Sequence, residues 1–388
     1  MLENGALSDH SRELRDHARV FVERVLEPAV AEMQQTQAIP KSVHQALKTA
    51  GYFGMTVPEQ YGGLGLGLLD YAVILEQIGW SHRQWTLYLA NNNGLASKAI
   101  GDLGTEEQRD RYLRGLATGD FLACFALTEP EAGSDAGAIS TRASKAGNKW
   151  IINGRKHYIS AADIADVTVV IAVTDKEKGA RGGMTAFLVD SDNPGRTIAR
   201  THNTIGIDAV KQSEILFENC EVDEDAVLGE VGGGFKTAMR TLDEGRITVA
   251  ASCVGHAQRC LDLMVEHARE RKTFGKPLGS RQAIQWMIAD SATEIHAART
   301  MVYNAAARSD QGERISQDAS MAKLFASEMI SRVADRAIQI HGGAGIMNEV
   351  EVGRWWCDTR HYRIGEGASE IQRTIISRNL LGSELVSL

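Results

Sequence analysis

Basic charge is in short supply in this chain. Its 388 residues carry 42 lysines and arginines against 50 aspartates and glutamates, a net charge of −8. Without a cationic surplus there is little to neutralise a phosphate backbone, so nucleic acid is not expected as a partner. The five cysteines, Cys124, Cys220, Cys253, Cys260 and Cys357, include no C-x-x-C pair. That spacing fits reduced thiols better than a disulfide framework or a zinc site. No apolar run is long enough to span a bilayer, so no membrane insertion is expected. The opening MLENGALSDH has acids early and no apolar leader core, and the expected location is the cytoplasm. Also missing are a G-x-G-x-x-G after a strand, G-x-S-x-G, H-E-x-x-H and a Walker A sequence. Their absence disfavours a Rossmann dinucleotide domain, a serine hydrolase, a zincin and a P-loop enzyme. No internal repeat or low-complexity segment occurs.

What is present is an ordinary globular composition, 43% hydrophobic and 24% charged, with length for two or three domains. Leu14, Ala18, Phe21, Val25, Ala29 and Met33 recur at steps of three and four, which predicts one buried helix face over residues 8–34. Ser8 or Asp9 would cap it. VPEQYGGLGLG (57–67) breaks helical order, which returns over 69–80 and 105–119. Strand texture then takes over. WIINGRKHYIS (150–160) has two β-favouring runs around Asn153-Gly154, a strong hairpin signal, because both residues tolerate positive φ. VTVVIAV (167–173), MTAFLVD (184–190) and SEILFEN (213–219) read as further strands. Helical faces resume with Ala250, Val254, Ala257, Leu261, Met264 and Ala268, then with Ala322, Phe325, Met329, Val333, Ala337 and Ile340, stopping at Gly342-Gly343. The expected fold is multidomain α+β and mainly α: a helical domain at 1–121, a β domain at 122–232 and a helical-bundle domain at 233–388.

Several segments carry chemistry. FALTEPEAGSD (125–135) reads as a strand end followed by a turn rich in Thr, Gly and Ser, which exposes N–H groups and hydroxyls to a polar or anionic ligand. Arg271 in RKTFGKPL (271–278) is a permanent cation able to hold a pyrophosphate bidentately. In QIHGGAG (339–345), glycines behind a helix allow close backbone approach. In GEGASEIQR (365–373), Glu366 lies between two glycines ahead of a helical stretch.

In this order and at these separations, the segments resemble those of the acyl-CoA dehydrogenase family, over nearly the whole chain from YGGLGLG (61–67) onward. The resemblance implies FAD as cofactor, with Phe125, Leu127, Thr128, Gly133, Ser134, Tyr158, Ser160, Arg271, Thr273, Phe274, Gln282, Gln339, His341, Gly342, Gly343, Ala368 and Glu370 as its contacts. It implies Ser134, Asp243, Arg246, Gly365 and Gly367 as contacts of the acyl-CoA substrate. For Asp243, a solvated helix turn is an equal alternative. Glu366 is implied as the catalytic base that takes the proton next to the thioester carbonyl, while a hydride leaves the β-carbon for the flavin. Some family members place their base just before the Arg246 position, but Gly245 stands there and cannot act as one. Two departures are visible: Gly365 replaces a common Tyr and Ala368 a common Thr, which either leaves room for an acyl group that is bulky near its reacting carbons or is made good by a nearby aromatic, Trp80, Trp85 or Tyr362, with an ordinary straight chain as substrate. The implied partner is an electron-transfer flavoprotein, and the implied assembly a homotetramer built as a dimer of dimers. An acyl-CoA oxidase reoxidised by O₂ and a non-catalytic binding or assembly protein are the alternatives.

Overall fold

The structure, a computed structural model, describes residues 7–382 and 384–386. Among them no helix is long and apolar enough to cross a membrane. The N-terminal part is helical: α1 (Asp9–Phe21), α2 (Val30–Thr36), α3 (Lys41–Thr49), α4 (Leu68–Ser81), α5 (Arg83–Ala90), α6 (Leu95–Leu103) and α7 (Glu106–Thr118). Ser8 is the cap of α1; its hydroxyl accepts the Ser11 N–H at 3.0 Å. The single face expected over 8–34 is interrupted. A π-helical turn, Val22–Leu26, rotates the chain so that Val22 and Leu26, not Val25 and Ala29, are wholly buried. α7 begins with a full capping box between Thr105 and Gln108.

Eight strands follow: β1 (Ala123–Ala126), β2 (Arg142–Ala146), β3 (Lys149–Ser160), β4 (Val167–Val173), β5 (Met184–Asp190), β6 (Arg196–His202), β7 (Gln212–Asp223) and β8 (Val227–Leu228). They form one sheet in the order β6-β7-β3-β2-β4-β5-β8, with β1 parallel to β4. β4 is buried on both faces. Val167, Val169 and Ile171 pack toward α6 and α7, and Val170 and Ala172 pack into a second core with Trp150, Phe187 and Phe217.

The hairpin expected at Asn153-Gly154 is not there. β3 runs straight through this pair and stays paired to β7, with a register shift between Ile152 and Gly154. The pair makes a bulge: Asn153 Oδ1 accepts the Asn219 N–H at 2.8 Å, and Gly154 has φ 150. A Cβ on Gly154 would sit 2.5 Å from Thr141 Oγ1, so close approach of Thr141 demands the glycine. The turn lies at Gly147-Asn148, between the paired Ala146 and Lys149, where Gly147 has φ 64.

The rest is helical: α8 (Gly234–Glu270), α9 (Gln282–Asp310), α10 (Ser316–His341), α11 (Glu351–Thr359) and α12 (Ser369–Leu381), with a two-stranded hairpin of β9 (Lys272–Thr273) and β10 (Lys276–Pro277). Both expected faces are buried, at Ala250, Val254, Ala257, Met264 and Ala268 and at Ala322, Met329, Val333, Ala337 and Ile340; Leu261 and Phe325 are only half-buried. The chain divides into two compact units. The first comprises Met1–Ala31, Gly67–Thr86 and Arg246–Leu388, and the second comprises Glu32–Leu66 and Leu87–Gly245.

Candidate active site

In the first unit, chemistry gathers on the turn between α11 and α12. A 3₁₀ turn, Arg360–Arg363, leads into Gly365-Glu366-Gly367. Lys323 Nζ, from α10, donates to the Gly367 carbonyl at 2.8 Å. Gln372 Nε2 donates to the same oxygen at 2.9 Å and to the Glu366 carbonyl at 3.1 Å. The turn is thus pinned from both sides, and it holds Glu366 at φ 54 and Gly367 at φ 93. A left-handed Glu is uncommon and costs backbone energy. Glu366 is half-buried as a residue, yet its Oε2 is shut from solvent and has no hydrogen-bond partner among the described residues.

Burial pushes the Glu366 carboxyl pKa up, opposed by the charges of Lys323, Arg83 and Arg246. Burial also pulls Lys323 down to about 8. Tyr71 Oη, on α4, is buried without a partner, and Glu366 adds to the burial that raises its pKa. Behind the turn, Tyr362 Oη donates to His256 Nε2 at 2.8 Å, while His256 Nδ1 donates to the Gly79 carbonyl. Burial brings the His256 pKa down to about 3, so this imidazole is neutral and its tautomer is set by the two bonds. Arg246, inside α8, is buried; Ala368 and Glu370 lie at the start of α12, half-buried and exposed respectively.

Elsewhere in this unit, β9 and β10 meet in a two-residue turn at Phe274 (φ 50) and Gly275 (φ 77). Phe274 stands at its tip, 96% exposed, with the Arg281 guanidinium 5.5 Å from its ring. Arg271 and Gln282 are exposed and Thr273 is half-buried. Gln339 is exposed near the end of α10, and His341 stacks on His267 at 4.2 Å. Gly342 and Gly343 face open space: an added Cβ would meet nothing within 4 Å.

In the second unit, β1 carries Phe125 and runs into Leu127 and Thr128. The Thr128 carbonyl accepts the His157 N–H at 2.8 Å. The following Glu129 is buried and accepts from Ser140 N (2.6 Å), Ser140 Oγ (2.7 Å), Thr141 N (2.9 Å) and Lys156 Nζ (2.9 Å). Lys156 Nζ also donates to the Leu127 carbonyl at 2.8 Å. Gly133 and Ser134 are exposed, and a Cβ on Gly133 would meet nothing within 4 Å. Tyr158 sits in a second irregularity of β3, at φ 57 and 61% exposed, stacked on His157 at 3.9 Å. Ser160 Oγ donates to Gln212 Oε1 at 2.8 Å. Asp243 is half-buried, and its neighbour Glu244 lies 3.3 Å from Lys98.

The structure therefore brings Glu366, Gly365, Gly367, Ala368 and Arg246 together in one unit; in the other, Phe125 on β1 runs on into Leu127 and Thr128, Thr128 is hydrogen-bonded to the β3 segment that carries Tyr158 and Ser160, and Gly133 and Ser134 lie in an exposed turn. Sequence reading missed Arg83, Tyr71, Lys323 and the Glu129–Lys156 pair. Lys323 had a legible signal, since it interrupts an apolar helix face, as did Glu129, an acid at the end of an apolar strand.

Comparison with known proteins gives the chain its family. The N-terminal, middle and C-terminal acyl-CoA dehydrogenase domains match residues 8–120, 124–220 and 232–381. The chain is 40% identical to a 3-(aryl)acrylate reductase of Clostridium sporogenes, over 95% of this chain and 97% of that one. It is 39% identical to the CarC subunit of the caffeyl-CoA reductase–Etf complex of Acetobacterium woodii, over 96% and 99%. The solved butyryl-CoA dehydrogenase of Megasphaera elsdenii superposes with a TM-score of 0.93 at 36% identity, covering 97% of this chain and 99% of that one. The chain belongs to the acyl-CoA dehydrogenase family, FAD-dependent oxidoreductases acting on CH–CH bonds.

Proposed function

We propose that this enzyme removes hydrogen from Cα and Cβ of an acyl-CoA thioester, yielding the trans-2-enoyl-CoA, and passes the electrons to an electron-transfer flavoprotein. One observation carries the reading. Glu366 is a carboxyl held on a strained turn, with a dry, unpartnered oxygen and a pKa raised by burial. Those are the requirements of a general base working near neutral pH. The Cα–H bond breaks and its proton passes to Glu366 Oε2. Negative charge then grows on the thioester oxygen, and the Glu366 backbone N–H, with no protein acceptor among the described residues, is free to donate to it. Lys323 keeps the turn in place through Gly367.

When bound, FAD supplies the acceptor for the hydride that leaves Cβ. The residues present fit such a group. Exposed rings at Tyr158 and Phe274 offer stacking faces; Arg271 and Arg281 offer cations to a pyrophosphate; Gly133, Gly342 and Gly343 leave their surroundings open to a ligand's approach. In this reading Phe125, Leu127, Thr128, Ser134 and Ser160 complete the flavin contacts, while Gly365 and Gly367 with Arg246 border the substrate. CarC, by its name, is the subunit of a complex with Etf, which supports the same kind of electron acceptor here. Trp286, Ile346 and Met347 are exposed apolar side chains in the first unit and fit burial by further subunits of a homotetramer in the cytoplasm.

Glu366→Gln tests the reading. It keeps shape and volume but cannot take the proton. Titrated anaerobically with acyl-CoA, it should bind substrate and FAD yet bleach the flavin more slowly by well over the roughly 10²–10⁴-fold credited to a general base. Substantial residual bleaching would move the base elsewhere, Glu244 first. Two relatives named as reductases favour a second reading, in which the same half-reaction runs toward the saturated thioester in the cell. Reoxidation of the reduced enzyme by enoyl-CoA, compared with its reduction by acyl-CoA, separates the two.

A further inference from the structure

The second irregularity of β3 does more than expose Tyr158. Between the pairs Lys156–Ile215 and Ile159–Ser213, β3 has two residues, His157 and Tyr158, where β7 has one, Glu214. This is a bulge. Neighbouring side chains of a regular strand point to opposite faces. Here the His157 and Tyr158 rings stack at 3.9 Å, so the bulge has turned both to one side. The register brings in a third strand. His202 on β6 is paired with Gln212, two residues from Glu214 on β7 and therefore on its face of the sheet. One ligand atom from each of His157, His202 and Glu214 lies within 4.8 Å of the others, and among the described residues no other three metal-ligating side chains converge in this way.

The spacing suits an ion. The Nε2 atoms of His157 and His202 are 3.0 Å apart. A single hydrogen bond fits that gap, and so does one metal: two nitrogens bound to it at about 2.0–2.1 Å stand roughly 2.9–3.4 Å apart in octahedral or tetrahedral geometry. His157 Nδ1 is shut from solvent and has no partner among the described residues, so Nε2 is the edge this ring offers. Glu214 is buried, and Arg155 Nη1 lies 2.7 Å from its Oε1, which leaves Oε2 for an ion. A ligand carboxylate held by an outer partner in this manner is the usual arrangement at metal sites. Both histidines are half-buried, so water can fill the remaining positions. Arg155, and Arg200 opposite Glu214 in the register, oppose a cation's charge, but both are exposed and can turn to solvent.

We propose that His157, His202 and Glu214 bind one divalent transition-metal ion, zinc by preference, through His157 Nε2, His202 Nε2 and Glu214 Oε2, with water completing its shell. Imidazole ligands select such an ion over magnesium or calcium. The ion joins β3, β7 and β6, and it fixes the bulge that holds Tyr158 at φ 57. Ser160 Oγ is bonded to Gln212, the partner of His202. Two candidate flavin contacts therefore stand on the bulge and just past it, and the ion sets how rigidly they are held. It takes no part in the reaction, and the site stands or falls separately from the dehydrogenase reading.

The test is equilibrium dialysis of the FAD-loaded enzyme against zinc chloride, on untagged protein first stripped with a chelator. The wild type should retain one zinc per chain with a Kd of roughly 1 µM or tighter, and excess magnesium should not displace it. His202→Ala and Glu214→Gln should each weaken binding by at least the roughly 10- to 100-fold credited to loss of an outer partner alone. His267→Ala breaks the other close histidine pair, with His341, and should bind as the wild type does. Zinc should raise the Tm of the wild type and leave that of His202→Ala unchanged. If a variant fails to fold, X-ray absorption at the zinc edge of the wild type reads the ligands directly, and two imidazoles with oxygen and no sulfur are expected. A wild type that retains no zinc overturns the proposal. So do variants at 202 and 214 that bind as tightly as wild type, a loss equally large in His267→Ala, or an ion bound through sulfur. None of these outcomes touches flavin bleaching by acyl-CoA, which tests the reaction on its own.

Discussion

Lys156→Met is the perturbation whose size can be worked most directly. Lys156 and Glu129 are both buried and 2.9 Å apart. Burial pushes the Glu129 carboxyl up, but Lys156, Thr141 and Ser140 together bring it down to about 2. Burial pulls Lys156 down to about 8, so it stays charged at neutral pH. Removing one partner of a buried pair costs roughly 3–5 kcal/mol. Glu129 keeps three donors from Ser140 and Thr141, which places the loss near the lower end, ~3 kcal/mol, or a Tm lower by roughly 6 °C. The Leu127 carbonyl loses its lysine donor as well. Leu127, Thr128 and Ser134 therefore loosen, and FAD content should fall with stability.

The pH dependence has a definite sign. In the wild type the carboxyl is depressed in the fold, so its contribution is full above about pH 4.5 and fades as the pH falls toward 2. In Lys156→Met that pKa rises, the buried charge can be neutralised by a proton, and the gap to wild type should narrow between pH 7 and pH 4. Glu129→Gln with Lys156→Met, which leaves no charge, should recover more than half of the loss. A gap that does not change with pH, together with a double variant no better than the single one, would refute the reasoning.

Further outcomes follow from the same geometry. Lys323→Met removes a cation that lowers the Glu366 pKa, so the rising limb of flavin bleaching against pH should move to higher pH; an unmoved limb would deny Lys323 its electrostatic role. Arg271→Ala should lower FAD occupancy of the purified protein, and full occupancy would end the pyrophosphate assignment. Gly365→Tyr is tolerated by the backbone, since a Cβ there would touch only His361, at 3.7 Å or more. It should slow acyl groups branched near Cα or Cβ more than straight ones, and equal slowing of both, measured as kcat/KM, would count against an open space beside the base.

The reach of the sequence can be judged residue by residue. Ser8, Thr105 and the glycines after His341 mark helix ends through local bonds, and local bonds are what a linear sequence displays. Asn153-Gly154 misled because the same positive-φ tolerance serves a turn or a bulge, and the choice was made by Thr141, which presses on Gly154 from just ahead of β2. Glu366 was legible through its motif, but the motif says nothing of what would suit the carboxyl to act as a base; that comes from burial, which raises its pKa against the opposing cations at positions 323, 83 and 246. Arg83 was invisible for a related reason. An arginine at a helix start reads as solvated, and only packing by Tyr362 and His361 takes the water away.

The left-handed backbone of Tyr158, Phe274 and Glu366 implies a conflict between folding and catalysis. Each is a conformation that glycine adopts freely and that costs a residue with a side chain about 1–2 kcal/mol. A search guided by thermal stability alone would therefore drift toward glycine at these three places. It would return a sturdier protein stripped of two candidate flavin-facing rings and of its candidate base. Consensus or computational stabilisation of this enzyme should hold all three positions fixed, and a natural relative with glycine at the place of Glu366 should be suspected of having kept the fold and given up the reaction.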